Sequence, residues 1–143
     1  MNTIIIDTRE KNPFAFANYD TEVSTLKTGD YSLKGLEDQI VLERKSMSDF
    51  YSSVTKKRFW NEMERMSQIP HAYLILEFGT SDIMRFPHGS GIPKKVWKYL
   101  KASPKFLLSC VNRIENEYGV EVIYSSSRED AAKKAMEILL RGV

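Results

Sequence analysis

The sequence predicts an α/β domain built on one mixed β-sheet. Three observations carry that reading. Short β-branched or apolar runs, Ile4-Ile5-Ile6 and Ala72-Tyr73-Leu74-Ile75-Leu76, have the length and composition of buried strands. Apolar residues recur at helical spacing between and after them. An early pair of strand-like runs, Tyr31–Leu33 and Gln39–Lys45, flanks Lys34-Gly35-Leu36-Glu37-Asp38, which reads as a hairpin loop. Strands alternating with helices, plus one hairpin, imply a mixed central sheet flanked by helices.

In chain order, residues 4–6 form the first strand, and residues 21–27 alternate as a second. After the hairpin, Ser46-Met47-Ser48-Asp49 has the pattern of a capping box and starts a helix. A second helix carries Phe59, Met63 and Met66 on one face and stops at Pro70, and residues 72–76 follow as a strand. His88-Gly89-Ser90-Gly91 is a loop. Pro93 suits the first turn of a helix running to about residue 102. Ser103-Pro104 starts a fresh helix with Leu107, Val111, Ile114 and Tyr118 on its apolar face, stopped by Gly119. Residues 120–124 are a last strand. Ser127-Arg128-Glu129-Asp130 caps a final helix that buries Ala132, Ala135, Met136 and Leu139.

At 143 residues the chain is long enough to bury a core as a single domain, 1–143. A net charge of +2 does not mark a nucleic-acid binder, so any basic surface must come from local clustering. The one cysteine, Cys110, has no partner for an internal disulfide and reads as a small buried residue in a reducing, cytoplasmic setting. The start lacks a basic leader and a long apolar run, and no segment reaches membrane-spanning length. The expectation is an unsecreted chain with no membrane partner.

The chemistry concentrates in Gly29-Asp30 and Glu43-Arg44-Lys45. Residues two apart on a strand share a face, so Glu43 and Lys45 point the same way, as do Asp7 and Arg9. Asp30 begins the incoming strand of the hairpin, opposite the outgoing end that carries Glu43. Carboxylates gathered at contact distance repel by about 4 kcal/mol per pair at an effective dielectric near 20, and a divalent cation relieves this. Oxygen ligands favour Mg²⁺ or Mn²⁺ over zinc. Such a set suits metal-assisted cleavage of a phosphodiester, with Lys45 holding water or offsetting charge on the transition state. The plainer reading of each residue is a turn (Asp30) or a solvated strand end (Glu43, Arg44, Lys45). The two histidines, His71 and His88, are isolated and form no competing metal site.

Asp7-Thr8-Arg9-Glu10, Gly29-Asp30-Tyr31 and Val41-Leu42-Glu43-Arg44-Lys45-Ser46-Met47-Ser48-Asp49 closely resemble the nuclease domain of XPF-type structure-specific endonucleases, with its GD…ERKxxxD hallmark. Arg58 and Glu62 continue the likeness, and weaker similarity reaches the last helix. The resemblance implies a restriction-endonuclease-like fold of the PD-(D/E)XK class and a Mg²⁺-dependent DNA endonuclease, with Mn²⁺ able to substitute. Branched, flapped or nicked DNA is the implied substrate, in repair, recombination or phage DNA metabolism. It implies Asp30 and Glu43 as metal ligands, Asp7 as a further acid of the metal site, and Lys45 as the catalytic lysine. Arg9, Glu10, Arg44, Asp49 and Arg58 are implied supporting or DNA-contacting positions. Each has a structural rival: Arg44 bracing the opposite face, Asp49 capping a helix, Arg58 pairing with Glu62 four residues on. Lys56-Lys57 stands where the family often has a small residue, which alters the local loop. The chain shows no helix-hairpin-helix module, so the expected form is the compact bacterial or phage type, acting with a separate DNA-binding or helicase partner, or as a homodimer through the apolar faces of residues 107–118 and 132–139.

Two basic groups are candidate DNA contacts: Lys56, Lys57 and Arg58, and a helical face of Lys94, Lys98 and Lys101, flanked by Lys95 and Lys105. Trp60, Trp97 and Tyr99 are candidate stacking residues. The alternative for each is a solvated face or core. Two further functional readings stand beside the endonuclease: a non-catalytic DNA-binding or scaffolding module, and a nuclease acting on RNA or DNA ends on the same fold.

Overall fold

The computed structural model describes residues 2–143. Its six strands are β1 (Ile4–Asp7), β2 (Thr21–Ser24), β3 (Tyr31–Leu33), β4 (Ile40–Lys45), β5 (His71–Leu76) and β6 (Glu121–Ile123). They form one sheet in the order β2-β1-β3-β4-β5-β6. β3 runs antiparallel to β1 and β4, and the other neighbours are parallel, so the sheet is mixed as expected. The helices are α1 (Met47–Val54), α2 (Lys57–Met66), α3 (Thr80–Met84), α4 (Pro104–Tyr118) and α5 (Arg128–Arg141).

Alternation along the strands divides the interior into two layers. Val41, Ala72, Leu74 and Leu76 face Phe50 of α1, Phe59 and Met63 of α2, and Leu107 and Ile114 of α4. Ile40, Leu42 and Ile75 lie on the other face with Ile4, Ile6 and Tyr31, covered by α5. Each fully buried large side chain here contributes about 1.5–3 kcal/mol. The apolar stripes of α4 and α5 pack on the chain's own sheet.

Several elements differ from the sequence expectation. β2 ends at Ser24 rather than residue 27, because the Leu26 N–H donates to Asp7 Oδ1 and the Leu26 carbonyl accepts from Arg9, replacing ladder bonds. On α5 the buried residues are Ala131, Ala135, Ile138 and Leu139, with Ala132 and Met136 at the flank, so the buried face is turned slightly from the expected one. The short helix α3 was not anticipated; five residues show no resolvable apolar period. The segment after Pro93 forms only a 3₁₀ turn, Lys94–Tyr99, and then extends at Leu100. Pro104 forces Ser103 to be extended (φ −124°, ψ 165°), and the Ser103 hydroxyl must accept the Phe106 N–H to cap α4. No helix can therefore run through residue 102. At three residues per turn Lys94 and Lys98 do not align, and Lys101 lies beyond the turn, so the expected α-helical lysine stripe does not exist.

Gly29 sets the start of β3. Its φ is +86°, and a Cβ built there would lie 2.0 Å from Val41 Cγ2 and 3.2 Å from the Leu42 carbonyl. Left-handed backbone costs a non-glycine residue about 1–2 kcal/mol, and overpacking adds about 1–3 kcal/mol. Gly29→Ala is expected to lower unfolding stability by about 2–4 kcal/mol in urea denaturation, from those two sources. A loss under 1 kcal/mol would mean that Gly29 does not hold this turn.

Candidate active site

Register brings the candidate acids to one level of the sheet. Ile6 pairs with Tyr31, and Tyr31 with Leu42. One residue further, Asp7 lies beside Asp30 and Asp30 beside Glu43, with the Asp7 N–H donating to the Asp30 carbonyl (2.9 Å) and the Asp30 N–H to the Leu42 carbonyl (2.7 Å). The sequence-level placement of Asp30 next to Glu43 thus follows from antiparallel pairing.

Strand alternation then separates Glu43-Arg44-Lys45 into two kinds of work. Arg44 points to the α5 side and is a brace. Its guanidinium donates to Glu10 (2.7 Å), to Glu77 (2.8 Å) and to the Asn12 carbonyl, and lies 4.7 Å from the Phe14 ring centre. Arg128 of α5 approaches the same ring (5.1 Å) and Glu77 (3.6 Å). The Arg44 side chain is only 13% exposed, so these partners are what make its burial tolerable. Its main-chain N–H donates to Asp30 Oδ2 at 2.9 Å, which aims that carboxylate.

Glu43 and Lys45 point the other way, toward α1 and α2. Lys45 Nζ is 3.4 Å from Glu43 Oε2. They line a cleft of about 310 Å³ with Arg9, Lys56, Arg58, Glu62 and Arg65. A second opening, of about 340 Å³, is lined by Asp30, Glu43, Lys45 and Asp49, together with the Arg44 network. The Glu43–Lys45 pair forms the wall between them. Burial pushes the Asp30 carboxyl up to about 6, against the Arg44 N–H that holds it down. Burial, then the neighbouring Asp30 and Glu62 charges, push Glu43 well above the usual carboxylate range, while Lys45 opposes the shift. Burial raises Glu62 as well. Glu62, on α2, is the acid that the sequence reading did not single out as a site residue. Its signal was its position four residues after Arg58, on the polar side of a helix whose other face carries Phe59 and Met63. The anticipated Arg58–Glu62 ion pair does not form among the described residues, and both side chains instead line the cleft.

Asp7 is placed differently from Asp30. Its carboxylate accepts from Arg9 Nε (2.9 Å), from Arg9 Nη2 and from the Leu26 N–H (2.8 Å), and these bonds overcome burial to hold it below its ordinary range. It is a satisfied anion turned toward the β2 loop. Asp49 is exposed; its N–H is capped by Ser46 Oγ (3.2 Å), and it lines the second opening. Lys57 is exposed at the start of α2 and lines neither opening, in contrast to Lys56 and Arg58.

Among the described residues no group of three or more His, Cys, Asp or Glu side chains is gathered closely enough to hold a metal ion. The residues that could hold a divalent cation are Asp30 and Glu43, neighbouring carboxylates that line one opening. Mg²⁺ is suited to such a site, since it commonly takes one or two carboxylates and completes its shell with water and substrate phosphate.

The ERCC4 domain family model matches residues 6–136. A Methanocaldococcus jannaschii protein provisionally assigned as an ATP-dependent RNA helicase is 28% identical over 137 residues, covering 94% of this chain and 15% of that protein. The 3′-flap repair endonuclease Xpf of Saccharolobus solfataricus is 28% identical over 115 residues, covering 80% of this chain and 42% of that one. XPF from Aeropyrum pernix superposes with a TM-score of 0.72 at 17% identity, over 96% of this chain and 63% of that chain. Its complex with DNA gives a TM-score of 0.71 at 20% identity, over 99% and 64%. The present chain spans less than two thirds of each of these. The match and the mixed sheet together show the restriction-endonuclease-like α/β fold. Among the described residues no helix is long and apolar enough to cross a membrane.

Two outcomes follow from this geometry. The folded-state pKa of Asp30 lies above its unfolded value, so the fold binds the extra proton. Its contribution is fully present below about pH 4 and is lost as pH rises through about 6. Asp30→Asn is expected to raise the melting temperature at pH 7 in chelator by a few degrees, roughly 1–3 kcal/mol, with the two melts converging toward pH 4. A lower melting temperature for the variant at pH 7 would contradict the strain. Arg44→Ala leaves Glu10 and Glu77 buried without their shared cation and is expected to destabilise by about 3–5 kcal/mol; a change below 1 kcal/mol in the same denaturation would show that Arg44 is no brace.

Proposed function

This chain belongs to the ERCC4 domain family, and from that premise we propose that it is a metal-dependent DNA endonuclease that hydrolyses phosphodiester bonds in branched, flapped or nicked DNA. The observation that carries this reading is the Asp30–Glu43 pair, whose Glu43 has Lys45 at 3.4 Å and also lines a cleft with Arg9, Lys56, Arg58 and Arg65. The names of two relatives, a 3′-flap repair endonuclease and an XPF in complex with DNA, support DNA as the substrate and repair as the setting. DNA is the proposed partner, with a second copy of the chain or a separate DNA-binding or helicase protein completing the assembly.

The chain's own residues divide the work. Asp30, just before β3, and Glu43, on β4, stand on neighbouring strands and line one opening. A divalent cation bound there would supply Lewis acidity, polarising the scissile phosphate and making water a stronger acid. Lys45 is the cation nearest Glu43, placed to hold the attacking water and to offset charge that builds on the phosphoryl oxygens. Arg9, Lys56, Arg58 and Arg65 line the approach and would receive the phosphates on either side of the cut. Arg44 positions Asp30 through its N–H without touching substrate.

Cleavage of labelled flap, fork, junction, linear duplex and single-stranded DNA and of a matched RNA, with Mg²⁺, with Mn²⁺ and with chelator, tests the reading. Wild type is expected to cut branched DNA with either metal and to stop in chelator. Glu43→Gln, Asp30→Asn and Lys45→Ala are each expected to lose at least about a hundredfold in rate, the typical loss when one preorganised charge is removed from a transition state. Activity that survives in chelator or in both acid variants would sink the metal mechanism. Wild type that binds but never cuts would make the chain a DNA-binding module, and preference for RNA or plain ends would move it to another nuclease class.

A further inference from the structure

The net charge of +2 conceals a strong segregation. From Ile83 to Ile114 there are seven Lys and Arg and no Asp or Glu, so the rest of the chain is net acidic. Five of the seven, Lys94, Lys95, Lys98, Lys101 and Lys105, fall within twelve residues, and all five are exposed. None of these ammoniums reaches a carboxylate within ion-pair distance among the described residues. Other exposed cations do find partners: Lys34 bonds Glu22, Arg113 bonds Glu117, and Arg85, the stretch's own first cation, bonds Asp82. A patch of like charges left uncompensated is self-repelling and draws a polyanion.

Local structure keeps the patch from folding back on itself. The 3₁₀ turn, with three residues and about 6 Å per turn, sets Lys95 and Lys98 on one side. Trp97 anchors the turn from within, its Nε1 donating to the Ile92 carbonyl (2.9 Å) and its ring edge meeting His88. Leu100 then extends, and Pro104 and Ser103 open α4 with Lys105 in a first turn that contains no acid. Tyr99 lies uncovered in the middle, 69% exposed, with Lys98 Nζ 5.2 Å from its ring centre. The result is an exposed ribbon of five cations around a bare aromatic, not an amphipathic helix face. None of its residues lines either opening of the acid site.

We propose that the ribbon from Lys94 to Lys105 is a second, sequence-independent DNA contact that grips the phosphate backbone of duplex flanking the cleft. This rests on the nuclease reading, and assigns the ribbon to holding substrate and not to chemistry. Its chemistry suits backbone contacts: lysines are point charges that neutralise phosphates without reading bases.

The test uses the full chain in chelator, where cutting is off, and measures anisotropy of a labelled duplex and a labelled fork across a salt series. The triple variant K95Q/K98Q/K101Q is compared with wild type and with the charge-keeping K95R/K98R/K101R. The glutamine variant is expected to weaken duplex binding about tenfold and to flatten the plot of log affinity against log salt by about two to three, close to 0.9 for each phosphate no longer neutralised. The arginine variant should match wild type. With Mg²⁺ and saturating fork, turnover of the glutamine variant should stay within about twofold of wild type. If wild type binds and cuts but the glutamine variant keeps its affinity and slope, the ribbon proposal falls and the nuclease reading stands. If wild type binds no DNA, both fall. Loss of binding to anionic lipid vesicles, with duplex affinity unchanged, would reassign the ribbon to a membrane surface and overturn the proposal.

Discussion

Besides its own strand, two segments far apart in the chain meet at the Arg44 guanidinium. Glu10, Asn12 and Phe14 come from the loop after β1 and Glu77 from the end of β5, and Arg128 of α5 joins them through Phe14 and Glu77. A buried guanidinium without partners would cost several kcal/mol, so its burial obliges these segments to stay together. The consequence reaches through the backbone. Arg44 lies between Glu43 and Lys45, and its N–H holds Asp30. Fixing one residue on the α5 side of β4 thereby fixes three side chains aimed at the α1–α2 side. Structural charge on one face of a strand is what permits strained charge on the other.

That strain is local. Asp7, Asp30 and Glu43 stand at one level of three adjacent strands, yet their electrostatics diverge. Asp7 has two donors from Arg9's guanidinium, one from the Arg9 N–H and one from the Leu26 N–H, and is stabilised as an anion. The Asp30 carboxylate accepts from the Arg44 N–H and shares a side-chain hydrogen bond with Glu43, and Glu43 has Lys45 at 3.4 Å while two acids crowd it. Nothing about packing requires Glu43 to be an acid: it is 6% exposed, and a Gln would fill the same space without the charge. Buried carboxylates whose affinity for protons is raised by burial and by like neighbours are a recurring signature of sites that work on charged substrates. In a sheet this well satisfied elsewhere, the exception is informative.

The sequence was most readable where a regular period meets burial. The Phe59, Met63, Met66 spacing and the Leu107, Val111, Ile114 spacing both became buried helix faces. Antiparallel pairing across a short loop was enough to bring Asp30 to Glu43. The unreadable parts had causes of a different kind. α3 is too short to show a period. The 93–102 segment looked helical by composition, but the extended backbone that Pro104 demands of Ser103 overrode it. The employment of Asp7 depended on Arg9 and Leu26 swinging to the same carboxylate, a tertiary event that no spacing encodes. Glu62 was hidden because its acidity matters only once α2 is laid beside β4.

A site centred on acids, in the proposed role of acting on a polyanion, poses an electrostatic problem of its own. Carboxylates that would hold a cation also repel the phosphates on which that cation is to act. The fold answers at two ranges. Within the cleft, Arg9, Lys45, Lys56, Arg58 and Arg65 surround Glu43 and Glu62, so the walls are attractive although the floor is not. At longer range, acids are missing from Ile83 to Ile114, which leaves cations uncompensated away from the cleft. Screening limits each exposed charge to roughly 8–10 Å at physiological salt, so where the cations stand matters more than their total. A chain with almost balanced overall charge can thus be strongly polar in arrangement, and that arrangement, not the net charge, is what bears on a nucleic-acid partner.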